Sequence, residues 1–460
     1  MRLLPWLYPG LRVKRWLMLF LVALGLLSLG VAFSLSPGTV PAFEVTLARV
    51  LRAPAGTSIP RGVEAAGFLL AGAALAVLSL RAAVRSVIEV VAPTATLGLG
   101  EVLYWRRHRG RGPRIVAIGG GTGLPAVLRG VKEHSGNTTA LVTVGDDGGS
   151  SGRLRGELGI LPPGDIRNCL LALADAEPLM SEVFQHRFER GSLAGHTVGN
   201  LLIGGLSEVT GDFVAAVEAC SRVLAVRGRV LPSTLHDVHL VADFADGRTV
   251  RGETAIAAAG GSIRRLRLDP PDAAALPQAV AAVENADIVV LGPGSLYTSI
   301  LPHLLLPELA AALRRARGLR IFVVNVMTQP GETDAFTAAD HLAAVQAYAG
   351  RPGVDAVLVN SARISADRLG PYAARGSVPV AVDADRLLGM GVQVLARDVV
   401  SREGLVRHDP ERLAAAILEE ALRRMGRPDP RHLLDDYLLQ ERLRQSARRR
   451  EAEEAAARLP

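Results

Sequence analysis

From Trp16 to Ser36 the chain carries no charged residue and is almost wholly apolar. Wound as a helix at about 1.5 Å per residue, this run extends roughly 30 Å, the thickness of a bilayer's hydrocarbon core. A second apolar run, AAGFLLAGAALAVLSL from Ala65 to Leu80, is shorter and has Glu64 at its edge. Beside the first it reads as the return leg of a hairpin, with spans at about residues 16–36 and 63–80. Its Ala and Gly residues would let two helices approach closely. Arg2, Arg12, Lys14 and Arg15 precede the first span, and Arg81, Arg85 and the Arg106–Arg111 cluster follow the second. The loop between them holds only Arg49, Arg52 and Arg61, with Glu44. The positive-inside rule therefore places both ends in the cytoplasm, at the inner membrane. A cleaved signal peptide or a buried soluble helix pair are the competing readings of the first run.

Residues 1–83 thus form a transmembrane hairpin and 84–112 a juxtamembrane connector. From 113 to 425 short β-branched runs alternate with amphipathic stretches. Strands are expected at Ile115–Ile118, Ala140–Val144, Ile288–Leu291, Ile321–Asn325, Ala356–Val359 and Val378–Val382. Helices are expected at Leu124–Lys132, Pro277–Ala286, Leu305–Ala316 and Thr337–Ala349. Such alternation specifies an α/β domain with a mainly parallel sheet flanked by helices. Around Val238–Arg251 a β-hairpin turning at Asp246-Gly247 interrupts it. Residues 426–460 read as a charged helix with a thin apolar stripe.

A formal charge of +7 raises the question of a nucleic-acid partner. Only Lys14 and Lys132 are lysines, and the arginines are spread along the chain without interleaved aromatics. No nucleic-acid surface is expected. The two cysteines, Cys169 and Cys220, form neither a C-x-x-C pair nor a disulfide framework, which fits a reducing compartment.

The chemistry concentrates where strands end. Ile115–Ile118 runs into Gly119-Gly120-Gly121-Thr122-Gly123 and then a helix, a geometry that lets backbone N–H groups meet a phosphate. A plain tight turn is the alternative. The next strand ends in GDDGGSSG, where Asp146 and Asp147 could hold Mg²⁺ or ribose hydroxyls. A third loop, GPGSLYTS from Gly292, follows Ile288–Leu291. Further clusters are PPGDIRN, with Asp165 expected as a helix N-cap, then GHTVGN, NVMTQPGET and Arg407-His408-Asp409. His236-Asp237-Val238-His239 has poor metal-ligand spacing.

Taken in order, GGGTGLPAVLRG, VTVGDDGGSSGRLR, PPGDIRNCLLALA, GHTVGNLL, LPST, GPGSLYTSILPHL, NVMTQPGETDAFTAADH and GLVRHDP resemble the bacterial gluconeogenesis factor (YvcK-type) family, from about Arg114 to Arg424. That family shares a superfamily with the CofD 2-phospho-L-lactate transferases. The resemblance implies a Rossmann-like domain that binds a UDP-sugar such as UDP-N-acetylglucosamine and regulates cell shape, envelope synthesis and carbon metabolism. It implies a diphosphate near Gly120, Gly121, Thr122 and Gly123, with Ser150 and Ser151 opposite. Asp146, Asp147 and Asp165 would serve Mg²⁺, the ribose or any catalysis. Asn168, Gly294, Ser295 and Asn325 join the site, and Asn200, Tyr297 and Arg407 would meet the base or sugar. The alternative is a Mg²⁺-dependent phospholactyl transferase. GDDGGSSG, PGDIRN and Tyr297 depart from that enzyme's pattern, and a NAD-dependent oxidoreductase would rest on G-x-G-x-x-A alone. Homo-oligomerisation and protein targets stay open.

Overall fold

The computed structural model describes residues 14–34, 61–91, 112–175, 178–402 and 404–425, so the loop between the spans, most of the connector and the C-terminal charged segment lie outside the described residues. The chain divides into two compact units, residues 1–107 and 108–460.

The first unit pairs α1 (Lys14–Ser34) with α2 (Arg61–Val91). The second helix runs well past residue 80, so residues 84–91 of the expected connector are helical. Small residues make the seam. A Cβ on Gly30 would stand 2.8 Å from Leu69 Cγ, and one on Gly72 would stand 2.9 Å from the Leu27 backbone nitrogen. Ala23, Ala65 and Ser79 are buried, whereas Met18, Leu21, Val22, Leu70, Val77 and Leu78 are exposed. Water would favour the reverse arrangement, because burying large aliphatic side chains drives soluble packing. Both helices are long and apolar enough to cross a membrane.

The second unit is built on a seven-stranded parallel sheet: β1 (Ile115–Gly119), β2 (Thr138–Val142), β3 (Arg229–Pro232), β7 (Ile288–Leu291), β8 (Leu319–Val323), β9 (Ala356–Asn360) and β10 (Gln393–Arg397). The order is β10-β9-β8-β7-β1-β2-β3, so the chain leaves β1 in one direction and returns on its other side at β7. A reversal of this kind opens a crevice at the carboxyl ends of the two central strands. β1, β7 and β8 are buried along their whole length because helices cover both faces; β1 and β7 accordingly carry no polar side chain, while β8 holds a buried Arg320 paired with Asp355. Between β3 and β7 a small antiparallel sheet forms from β4 (His239–Phe244), β5 (Thr249–Arg251) and β6 (Ile263–Asp269), with the expected turn at Asp246-Gly247.

The helices of this unit are α3 (Leu124–Val131), α4 (Gly149–Leu158), α5 (Gly164–Leu173), α6 (Pro178–Gln185), α7 (Val198–Thr210), α8 (Phe213–Val223), α9 (Glu253–Ala259), α10 (Pro277–Glu284), α11 (Leu301–Leu304), α12 (Pro307–Arg315), α13 (Ala338–Ala349), α14 (Ala366–Ala373), α15 (Ala384–Gly389) and α16 (Pro410–Met425). The span expected as one helix from Leu305 starts at Pro307, and a buried π-helical turn, Leu296–Ile300, leads into α11 ahead of it.

Three strand expectations change. Val378–Val382 is not a strand: Pro379 makes a single bridge to Met327, and its ring nitrogen has no hydrogen to extend a ladder. The edge position is taken by β10 instead. β2 stops at Val142 and β8 at Val323, which frees Thr143–Gly145 and Asn325 for the loops. At the opposite, amino-terminal rim, a groove of about 1060 Å³ is lined by ion pairs, Arg114–Asp287 at 2.8 Å and Arg320–Asp355 at 2.7 Å among them.

Candidate functional site

The loops after β1 and β7 touch. A Cβ on Gly123 would lie 2.2 Å from the carbonyl oxygen of Pro293, so only glycine allows this approach. Gly121, with φ +59°, takes the left-handed turn that swings the chain into α3. Its N–H donates to Asp165 Oδ2 at 2.6 Å. Asp165 is therefore not the N-cap of α5: the helix starts at Gly164 behind Pro163, and the carboxylate reaches across to the β1 loop. Burial lifts the Asp165 carboxyl to about 6, with the Asp146 charge adding to it and the Gly121 N–H working against it. Thr122 is exposed at the tip of the turn.

The loop after β2 holds its own shape. Asp146 Oδ1 accepts the N–H of Gly148 at 2.9 Å, and Asp147 Oδ1 accepts the N–H of Thr254 on α9 at 2.9 Å. Ser150 and Ser151 lie buried in the first turn of α4. Ser151 Oγ accepts the Gly164 N–H at 3.1 Å, and Ser150 Oγ meets His196 Nδ1 at 3.0 Å. Asn200 Nδ2 donates to Ser150 Oγ at 3.0 Å, while its Oδ1 accepts from Arg167 at 3.1 Å. Arg167 also donates to Asn168 Oδ1 at 2.8 Å and to Thr197, the N-cap of α7. Ser150, Asn168 and Asn200 thus belong to one network that locks α4, α5 and α7 together. Burial, reinforced by Arg153, lowers the His196 imidazole, which favours its neutral form.

On the β7 side the Asn325 amide clamps Gly294 from both directions, accepting its N–H at 3.1 Å and donating to its carbonyl at 2.8 Å. Ser295 Oγ donates to Gln329 at 2.8 Å. Tyr297 is buried, with its ring edge-on to Phe336 at 6.5 Å, so the structure packs it into the core rather than leaving an open face. Burial pushes its hydroxyl up to about 12. Arg407 is exposed and lies within electrostatic reach of Arg129 on α3.

Three residues were not among the expected site residues, although Glu332 and His303 lie within the NVMTQPGET and GPGSLYTSILPHL motifs. Glu332 Oε1 accepts the N–H groups of Tyr297 at 2.6 Å and Thr298 at 3.2 Å, and its other oxygen is buried without a hydrogen-bond partner. Burial raises this carboxyl to about 7 against the pull of both N–H groups. His303 Nε2 sits 3.0 Å from the Gly119 carbonyl, with Ser233 on its other nitrogen, and burial drops it to about 4. Glu253, at the start of α9, is lifted to about 7 by burial and then by Asp146, Asp165, Asp147 and Glu332. The only available signal was position: Glu332 follows a strand end and His303 lies in the segment after GPGS.

Among the described residues, no group of three or more His, Cys, Asp or Glu side chains is arranged to hold a metal ion. Asp147 accepts the Thr254 N–H through Oδ1 and Asp165 accepts the Gly121 N–H through Oδ2, one carboxylate oxygen in each case. Cys169 and Cys220 are both free and buried.

Comparison with known proteins places this crevice in context. The sequence profile described as 2-phospho-L-lactate transferase CofD matches residues 115–400. A Nostoc sp. protein whose name includes the words gluconeogenesis factor is 46% identical over 420 residues, covering 90% of this chain and 91% of that one. The Bacillus subtilis gluconeogenesis factor is 45% identical over 312 residues, covering 67% of this chain and 98% of its own. A crystal structure of a UPF0052-family protein from Bacillus halodurans superposes with a TM-score of 0.65 at 45% identity, covering 66% of this chain and 99% of that one.

Proposed function

The chain belongs to the CofD family, with gluconeogenesis factors as its relatives, and from that premise we propose that its crevice binds a nucleotide sugar such as UDP-N-acetylglucosamine. The observation that carries this reading is the contact of Gly123 with Pro293 at the point where the sheet order reverses. Two glycine-rich loops meet there without side chains between them, one of them turning into the amino end of α3. Backbone donors and a helix dipole on that floor suit a diphosphate. In this reading Asp146, in the loop after β2, would accept from ribose hydroxyls. The network of Ser150, Asn168 and Asn200 makes a stiff wall, and in this reading Asn200 and Arg407 flank the base or sugar.

In this reading the protein is a regulator anchored by α1 and α2 in the inner membrane. Its globular unit faces the cytoplasm, coupling nucleotide-sugar supply to envelope synthesis, cell shape and carbon metabolism. Its protein targets and self-association belong to the same proposal. Asp146 and Asp165 would need phosphate oxygens from the ligand to complete any Mg²⁺ coordination.

The family match favours one second reading, a phospholactyl-type transferase. Titration calorimetry of the detergent-solubilised chain separates the two. Heat with UDP-N-acetylglucosamine and none with GDP supports the first. Release of GMP from a guanosine diphospho-lactate donor, with Mg²⁺ and a deazaflavin acceptor, would establish the second.

A further inference from the structure

Helix α7 is apolar on nearly every side. Its sequence, VGNLLIGGLSEVT, holds Glu208 as its single charge. One face is used inside the unit: Gly199, Asn200, Ile203, Gly204 and Ser207 are buried. The opposite face, with Leu202, Gly205 and Val209 at helical spacing, is exposed, and Val209 is 83% exposed. A helix that is apolar all round belongs inside a protein. By contrast, α12 presents Glu308, Arg314 and Arg315 on its outer face.

The bare surface continues onto the neighbours of α7. Leu158, exposed at the end of α4, stands beside it, its Cδ1 3.3 Å from where a Gly204 Cβ would be. Phe184 of α6 packs against Gly199, and Leu179, Met180 and Val183 of that helix are exposed. Together with Leu202 and Val209 these side chains leave on the order of 500 Å² of apolar surface in water. A standard dimer interface buries about 800 Å² per partner, roughly two-thirds of it apolar. The two amounts agree. A lipid surface fits the face less well, because it favours helices bearing Lys and Arg, and α6 and α7 carry only Glu182 and Glu208.

We propose that this face is the interface of a homodimer, in which α7 of one copy lies antiparallel on α7 of a second copy about a twofold axis. The stripe Val198, Leu202, Gly205 and Val209 is symmetric about its midpoint. A twofold there sets Leu202 of each copy over Gly205 of the other, and Val198 against Val209. Gly205 supplies the notch, since it is exposed and a Cβ on it would meet nothing within 4 Å. Charge decides between the two directions. Parallel packing would bring Glu208 to Glu208. Antiparallel packing carries Glu208, exposed and without an ion pair among the described residues, toward the amino end of the other α7. There Arg187, bridged through its backbone to Thr197, is exposed and likewise has no acidic partner among the described residues. The interface gives the self-association proposed above a surface, and it does not depend on which ligand fills the crevice.

The test is sedimentation velocity of the full chain in detergent over a dilution series, with thermal unfolding in parallel. The wild type is expected to run as a dimer that dissociates on dilution. Leu202→Arg and Val209→Arg should each raise the dimer dissociation constant at least tenfold while leaving the unfolding temperature unchanged. Glu208→Arg and Arg187→Glu should each weaken the dimer, and the two together should restore it to within about threefold of wild type. A wild type that is monomeric at every concentration overturns the proposal and leaves the face to lipid or to a different protein. Arginine variants that dimerise as well as wild type overturn it too, since the copies then meet elsewhere. A double charge reversal no better than either single one overturns the antiparallel arrangement. Should Leu202→Arg fail to fold, Val209→Arg decides, because its side chain already stands in solvent.

Discussion

Asp165 accepts the N–H of Gly121 at 2.6 Å, so a carboxylate on α5 sets the turn at the end of β1. One interaction thereby couples the β1 loop to the Ser151–Gly164 bond and the α4–α5–α7 network.

Replacing Asp165 with Ala should leave the Gly121 N–H without its partner and lower stability by roughly 1–3 kcal/mol. Asp165→Asn keeps an acceptor and removes the repulsion from Asp146, so it should be at least as stable as wild type at pH 8. Urea unfolding of the three proteins checks both outcomes.

Gly123→Ala should be more damaging. Its new methyl would sit 2.2 Å from the Pro293 carbonyl oxygen, a backbone atom that cannot swing away. The loops must part, with an expected loss of about 2 kcal/mol or more and of nucleotide-sugar binding. A variant that keeps wild-type affinity would show that the loop contact is not the floor of the site.

Glu332 makes stability depend on pH in a defined direction. Its folded value, about 7, lies above its ordinary 4.5. Its favourable contribution is complete below about pH 4.5 and is lost as pH rises through about 7. Wild type should therefore lose stability across that window, and Glu332→Gln should flatten the decline. Denaturant midpoints at pH 5, 6, 7 and 8 measure it, and parallel curves for the two proteins would refute the assignment.

Asn325→Ala removes both bonds that hold Gly294. The expected result is a loss of roughly 1–3 kcal/mol together with weakened binding. Asn325→Asp should lose mainly the bond to the Gly294 carbonyl, because a carboxylate cannot donate. Unfolding and calorimetry on both variants separate loop order from fold stability.

For the membrane unit, the close approach at Gly72 predicts that Gly72→Leu parts α1 from α2, because its Cβ would meet the Leu27 backbone nitrogen at 2.9 Å. Association of the two helices, expressed as separate fragments in detergent, should fall in the variant, and equal association would refute the close packing.

Much of this architecture was legible in the sequence because strands covered on both faces leave unbroken β-branched runs. Ile288–Leu291 appears with the bounds its residues suggested. Where a strand was missed, the physics differs. β10 is an edge strand with polar Gln393 and Arg397, and β3 ends in Pro232, so neither shows the apolar signature. The glycine-rich loops were visible because close backbone approach demands glycine. The partners that fix them were not: Asp165 looked like a cap, and Glu332 and Glu253 have meaning only once distant loops are brought together.

The ion-paired groove at the amino-terminal rim has a practical corollary. All seven strands point the same way, so that rim and the crevice are separated by the full depth of the sheet. A fluorophore or surface linker attached at exposed Arg317 would leave the ligand end unobstructed. The molecule can therefore be mounted as a reporter, read from one face while it samples ligand at the other.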